Sequence, residues 1–102
     1  EVALMQGALD SGIDYREINR KYPVRARIPF DSRRNFQVFV RRLAKKRDIF
    51  LVSGAPERIL ALSTEYKTPK GKRRISEVQR VRQLRKISVL AAKGFRVIAL
   101  GY

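Results

Sequence analysis

The sequence of 102 residues contains no cysteine, histidine or tryptophan, and each absence excludes some chemistry. Without cysteine, the chain has no disulfide, no thiol nucleophile and no thiolate metal site. Without histidine, it lacks the commonest general base and metal ligand. Apolar runs reach only about five residues, whereas a membrane-spanning helix needs roughly 20. These absences favour a binding domain over an autonomous enzyme.

Acidic residues are also scarce, because nine Asp and Glu oppose 24 Lys and Arg, for a formal net charge of +15. The nine are scattered, at spacings that do not suggest paired carboxylates or a metal cage. Positive charge of this size favours polyanionic partners such as nucleic acid, anionic lipid or nucleotide phosphates. A solvated basic surface explains the same charge, so charge alone does not identify the partner.

The length fits one small domain, and we expect residues 1–102 to be a single domain cut from a longer chain that does not begin at Glu1. Periodicity predicts an α/β (α+β) fold with a twisted, mainly antiparallel sheet flanked by helices. The predicted strands are Val24–Phe30, the alternating segment from Phe36 to Val40, Ile49–Ser53 and Phe95–Leu100. The predicted helices are Glu1 to about Leu9, Pro56 to about Leu62, and a long one that begins near Ser76.

The long helix has an apolar line that we expect to face the core, and basic residues that we expect outside it. The apolar line is Ile75, Val78, Val81, Leu84, Ile87, Leu90 and Ala91, and the basic residues are Arg80, Arg82, Arg85 and Lys86. Gly94 is placed to end this helix as the residue after its C-cap. The segment from Ser63 to Arg74 is rich in Lys, Thr, Pro and Gly and is predicted to be a mobile loop.

Two short motifs carry the functional signal. Pro29-Phe30-Asp31-Ser32 puts an aromatic ring at the end of a predicted strand, and Gly54-Ala55-Pro56-Glu57 ends another strand and begins a helix. A flat apolar ring beside a glycine, where the backbone can be approached closely, is a plausible seat for a nucleotide base. Taken as structure alone, Phe30 is a core aromatic and Gly54 a turn residue.

The order of motifs along the chain adds to this. Glu1-Val2-Ala3-Leu4, the two motifs above and Gly94-Phe95-Arg96-Val97-Ile98-Ala99-Leu100 follow one another at suitable spacing. In this the chain resembles the nucleotide-binding (N) domain of P-type cation-transporting ATPases of the P2 kind. Each motif is weak alone, but the resemblance covers nearly the whole chain.

The resemblance implies a role for each matching position. Phe30 matches the phenylalanine on which the family stacks adenine, and Glu1 matches the glutamate that faces the exocyclic amino group of the base. Arg96 matches the arginine that reaches the phosphates or ribose. Gln37 falls where some members place a glutamine near the base, and Gly54-Ala55 would form the floor of the pocket, whose mouth we expect near Phe30, Gly54 and Arg96.

The chain departs from the family pattern at two lysines. Ser53 stands where the commonest form of the second motif, K-G-A-P-E, has lysine, and Asn35 falls on or near the lysine that follows the phenylalanine. Arg34 is the adjacent cation that would supply the missing charge. The upstream strands that precede the first motif in the family are absent, so we expect an edge of the sheet to be exposed or covered from outside the chain.

The resemblance implies that the chain binds ATP and ADP and works with the phosphorylation and actuator domains of the same pump, on the cytoplasmic side of a membrane. Mg²⁺ would come with the nucleotide in the full pump, whose activity would be ATP-driven cation transport. We expect the isolated chain to bind nucleotide without hydrolysing it and to touch the membrane only through the parent protein. We do not expect nucleic acid to be its partner. Two alternatives stay open: a basic nucleic-acid-binding domain, and a degenerate N domain that no longer binds nucleotide.

Overall fold

The computed structural model describes residues 2–102 and has an α+β architecture, as the sequence predicts. The elements in chain order are α1 Val2–Asp10, α2 Tyr15–Lys21, β1 Val24–Asp31, β2 Phe36–Ala44, β3 Arg47–Gly54, α3 Pro56–Leu62, β4 Glu65–Thr68, β5 Gly71–Arg74, α4 Glu77–Ala92 and β6 Ala99–Gly101. Four strands form an antiparallel sheet in the order β1-β2-β3-β6, while β4 and β5 form a separate hairpin.

The register of β2 and β3 separates the sheet into two faces. Val38 lies opposite Val52 and Val40 opposite Phe50 on one face, whereas Gln37 lies opposite Ser53 on the other. Adjacent strand residues point to opposite faces, so these pairs alternate along the strands. The faces are called the valine face and the glutamine face below.

Helix α3 covers the valine face and forms the core with it. Ile59 of α3 is buried together with Val38 and Val40, and its Cγ2 atom lies 3.5 Å from the position that a Cβ on Gly101 would occupy. Pro56 suits the first turn of α3, where a missing N–H leaves no hydrogen bond unmade. The best-buried part of the described chain is therefore the layer of α3 on the middle of the sheet.

Helix α4 is bounded by two strong capping signals. At its start, the Ser76 hydroxyl accepts from the Gln79 N–H and the Gln79 side chain accepts from the Ser76 N–H, which together form a capping box. At its end, Gly94 has φ +86°, and the N–H groups of Gly94 and Phe95 donate to the carbonyls of Ala91 and Leu90. This is the Schellman arrangement, and it confirms Gly94 as the predicted stop.

Two predicted segments differ in the structure. The last strand is limited to Ala99–Gly101, because β3 ends at Gly54, opposite Ala99, and offers residues 95–98 no backbone to pair with. The predicted loop from Ser63 to Arg74 holds the β4–β5 hairpin instead. Its turn is stabilised by Thr68, whose hydroxyl donates to the Gly71 carbonyl at 2.7 Å and accepts from the Lys70 N–H.

The predicted inner face of α4 is wrong in part. Val78 and Val81 are exposed, while Arg80, which we expected outside, is half-buried. The Arg80 guanidinium donates to the carbonyls of Leu60 and Ser63 at the C-terminal end of α3, where carbonyls lack the usual donor from a following helical turn. With these bonds, the side of α4 that faces inward is the one that carries Arg80 and Ile87, rather than the predicted side with Val78 and Val81. The prediction for β1 also differs. This strand lies at the edge of the sheet, and its apolar side chains are exposed rather than half-buried.

Candidate functional site

Three chain segments meet at one end of the sheet. The β1–β2 turn, the junction of β3 with α3, and residues 95–98 before β6 all lie there, because β1 and β3 finish where β2 and β6 begin. Neighbouring strands are about 4.8 Å apart, so about 14 Å separates β1 from β6 across the sheet. This end, called the turn end below, holds every predicted site residue that the structure describes; Glu1 lies outside the described residues.

Phe30 stands at the end of edge strand β1. The pairing of β1 with β2 shifts by one residue between Ile28, opposite Val38, and Asp31, opposite Phe36. Phe30 therefore lies in a bulge. Bulges redirect side chains and are common beside functional sites. The Phe30 side chain is 57% exposed, so its ring is open to a stacking partner rather than buried in the core.

The turn after Phe30 is organised by Asp31. Its Oδ1 atom accepts from the Arg33 N–H at 2.7 Å, an Asx turn, and its main-chain carbonyl accepts from the Asn35 N–H at 2.6 Å. The guanidinium groups of Arg33 and Arg34 lie 3.7 Å from the same carboxylate, and Arg34 also donates to the Pro29 carbonyl. Asp31 thus keeps two arginines at the turn end, and the Arg33 side chain is 91% exposed.

Gln37 and Ser53 form a half-buried polar pair on the glutamine face. They are directly opposite in the β2–β3 ladder, and the Gln37 amide donates to the Ser53 hydroxyl at 3.1 Å. Within this pair, the side-chain amide oxygen of Gln37 and the hydroxyl hydrogen of Ser53 can still form hydrogen bonds with other partners. Ser53 provides neither the length nor the charge of a lysine, so this face of the turn end is neutral at that position.

Gly54 permits a very close approach, and the β1–β2 turn occupies the space. A Cβ on Gly54 would lie 2.6 Å from the Cα of Phe36 and would collide with the Asn35 carbonyl oxygen. The next residue, Ala55, donates its N–H to that carbonyl at 2.9 Å. The glycine is therefore needed to pack β3 against the turn, whatever it offers a ligand.

Arg96 lies in the unpaired stretch before β6, and its side chain is exposed. The strand pairing puts Ala99 opposite Gly54, so the Arg96 segment leads directly to the β3–α3 junction. Phe30, near the end of β1, and Arg96, in the stretch before β6, thus lie on the two outer sides of the turn end. The structure brings the segments of both predicted residues to one end of the molecule.

A cavity of about 670 Å³ opens next to the turn end, between α3, α4, β6 and the β4–β5 hairpin. Its walls are mainly apolar and include Ile59, Ile75, Ile87 and Val97. It does not include Phe30, Gln37, Ser53, Gly54 or Arg96. The candidate site is thus an open surface at the turn end rather than this cavity.

Comparison with known families identifies the family of the whole chain. The family model described as P-type ATPase, cytoplasmic domain N, matches residues 1–102, the whole chain. The chain belongs to this family. The N domain is the nucleotide-binding module of the pump, so the resemblance seen in the motifs is confirmed at the level of the family.

No curated protein matches the chain. Among residues 2–102, the N domain has no helix with both the length and the apolar character needed to cross a bilayer.

The structure also adds residues to the candidate site. Asp31 and Arg33 are not among the predicted site residues, although the Asp-Ser-Arg sequence is typical of an Asx turn and could have indicated the bond from Arg33 to Asp31. The left-handed backbone of Asn35, with φ +62°, could also have been suspected, since asparagine is enriched in that conformation. The contact between Gly54 and the turn had no signal in the linear pattern.

Proposed function

We propose that this N domain binds ATP at the turn end, with adenine stacked on Phe30 and the phosphates near the arginines. The observation that carries the proposal is the meeting of Phe30, the Gln37–Ser53 pair, the Gly54-Ala55 junction and the Arg96 segment in a chain that belongs to the N domain family. The exposed ring supplies an apolar platform, and the pair beside it supplies hydrogen-bonding groups for the base or ribose.

In this proposal, charge at the phosphates comes from arginine rather than lysine. Arg34 and Arg96 would contact the phosphates, with Arg33 from the same turn, while Ser53 and Asn35 replace the two lysines of the commoner pattern. A planar guanidinium can bind phosphate oxygens in pairs, which partly offsets the missing lysines. We expect millimolar to high-micromolar affinity, about −4 to −6 kcal/mol.

Catalysis belongs to the rest of the pump in this proposal. The N domain would hold ATP so that its γ-phosphate reaches an aspartate in a separate phosphorylation domain, and would then release ADP. The Asp31 carboxylate is already paired with Arg33 and Arg34. Mg²⁺ would therefore be bound through the nucleotide phosphates, and Glu1 remains a candidate contact to the adenine amino group.

Calorimetric titration of the 102-residue chain with ATP and with adenosine tests the proposal. Phe30→Ala should weaken the binding of both ligands about 5- to 150-fold, because base–aromatic stacking contributes about 1–3 kcal/mol. The matched control is Phe50→Ala, since Phe50 is equally exposed at 56% and lies on β3 away from the turn end. Arg96→Ala should weaken ATP more than adenosine. Equal affinity of the Phe30 and Phe50 variants would refute stacking on Phe30.

The same titrations separate the alternatives. A degenerate N domain would bind neither ATP nor adenosine while remaining folded. A basic nucleic-acid-binding domain would bind labelled oligonucleotide at sub-micromolar concentration with a steep salt dependence, and added ATP would have no effect. The basic β4–β5 hairpin, in which Lys67 lies opposite Lys72, is the surface at which such binding would be sought.

A further inference from the structure

The β1–β2 turn is held against the β3–α3 junction by main-chain bonds at Asn35. The Asn35 N–H donates to the Asp31 carbonyl, which closes the turn, and the Asn35 carbonyl accepts from the Ala55 N–H. Beside this bond, Gly54 leaves room for Asn35 and Phe36. The turn that carries Arg33 and Arg34 is thus attached to a second element of the fold.

The attachment depends on the backbone conformation of Asn35. Its φ of +62° lies in the left-handed region, which costs an ordinary L-residue free energy but is readily adopted by glycine and often by asparagine. In that conformation the chain reverses and the Asn35 carbonyl points at Ala55. A residue that avoids positive φ would favour another turn and would release the contact.

We propose that Asn35 is a positioning residue, whose left-handed backbone holds the β1–β2 turn against Gly54-Ala55 and so presents Arg33 and Arg34 to the phosphates of a bound nucleotide. This inference rests on the proposed function and refines it. In the family pattern, a lysine at or near this position supplies charge. Here asparagine supplies shape, and the charge comes from the arginines that precede it.

The role of the backbone can be separated from that of the side chain by two variants. Asn35→Gly and Asn35→Ala both remove the amide group, but only glycine adopts φ +62° without strain. If Asn35 acts through its backbone, Asn35→Gly should bind ATP within about twofold of the unaltered chain. Asn35→Ala should bind ATP about fivefold more weakly, because the competent turn is less populated.

A matched control exists at the other end of the same sheet. Lys46, in the β2–β3 turn, has φ +61°, so Lys46→Ala imposes the same backbone strain away from the candidate site. Its thermal midpoint should fall about as much as that of Asn35→Ala. Its ATP affinity should stay within about twofold of the unaltered chain after allowance for one lost surface charge. A general loss of stability would affect both variants equally.

The titrations use ATP and adenosine on each variant. We expect Asn35→Ala to weaken ATP while adenosine affinity changes less than about twofold, since the positioned arginines contact phosphate and not the base. Weakening of ATP by Asn35→Gly as large as that by Asn35→Ala would overturn the inference and assign the contact to the amide. Unchanged ATP affinity in Asn35→Ala would also overturn it. Failure of the unaltered chain to bind ATP would overturn the proposed function together with this inference.

Discussion

The turn end of the sheet and the layer formed by α4 and the β4–β5 hairpin are built in different ways. At the turn end, hydrogen bonds join the β1–β2 turn to the β3–α3 junction, and Gly54 leaves no space for even a methyl group. In the other region, α4 leaves Val78 and Val81 exposed, and a cavity of about 670 Å³ separates it from β6.

The difference shows which contacts can be changed at little cost. Close packing leaves no room to absorb an added atom, so the turn end should respond strongly to small substitutions. A region with exposed side chains and an open cavity can relax, and its substitutions should have smaller effects. On a binding surface, close packing holds the protein groups that contact a ligand in place before the ligand binds.

The strongest way to break the turn end is Gly54→Ala. The new methyl group would lie 2.6 Å from Phe36 Cα, against backbone atoms that cannot rotate away. We expect the free energy of unfolding to fall by about 3 kcal/mol, at the upper end of overpacking effects. Urea denaturation followed by circular dichroism measures this change.

Gly7→Ala is the control for that experiment. Gly7 lies within α1, and a Cβ there would meet no atom within 4 Å. Alanine in a helix interior is more stable than glycine by roughly 0.5–1 kcal/mol, so this variant should gain stability. A loss at Gly54 of less than about 1 kcal/mol would show that the turn end relaxes as readily as the rest.

The sequence predicted the elements that depend on local chemistry. The strand around Phe39 follows from alternation and the strand around Leu51 from its apolar run. Helix α3 follows from Pro56, and both ends of α4 follow from Ser76 and Gly94. The length of β6 could not be predicted, since it depends on where its partner β3 ends. The β4–β5 hairpin was missed because its strands are short and charged and lack an apolar alternation.

The candidate site was predicted as a set of residues but not as a geometry. The family pattern pointed to Phe30, Gln37, Ser53, Gly54 and Arg96, and the strand order brings their segments to one end. The pairing of Asp31 with both arginines and the contact of Asn35 with Ala55 depend on the folded turn. The contact of Asn35 with Ala55 joins two segments that are far apart in sequence, so linear spacing does not reveal it. The pairs of Asp31 are local, and their geometry depends on how the turn folds.

Arg80→Ala tests how α4 is held to the C-terminal end of α3. The Arg80 side chain is 24% exposed and donates to the carbonyls of Leu60 and Ser63 at the end of α3. Removing it leaves these carbonyls with fewer donors, and we expect a loss of about 1.5 kcal/mol in unfolding free energy. Arg82→Ala, on the exposed side of α4, is the control and should change stability by less than about 0.5 kcal/mol. Equal effects would mean that Arg80 does not hold α4 to α3.

The smallest expected effects distinguish the two sides of α4. Ile87 is half-buried against the cavity, so Ile87→Ala should cost about 1 kcal/mol, well below the value for a fully buried isoleucine. Val78 is 69% exposed, and Val78→Ala should change the unfolding free energy by less than about 0.5 kcal/mol. Both changes favour helix propensity, so a larger loss at Ile87 must come from packing. If Val78→Ala lowers the unfolding free energy by more than about 0.5 kcal/mol, the exposed side of α4 packs against another part of the protein in solution. The contrast with the turn end would then be smaller than the structure indicates.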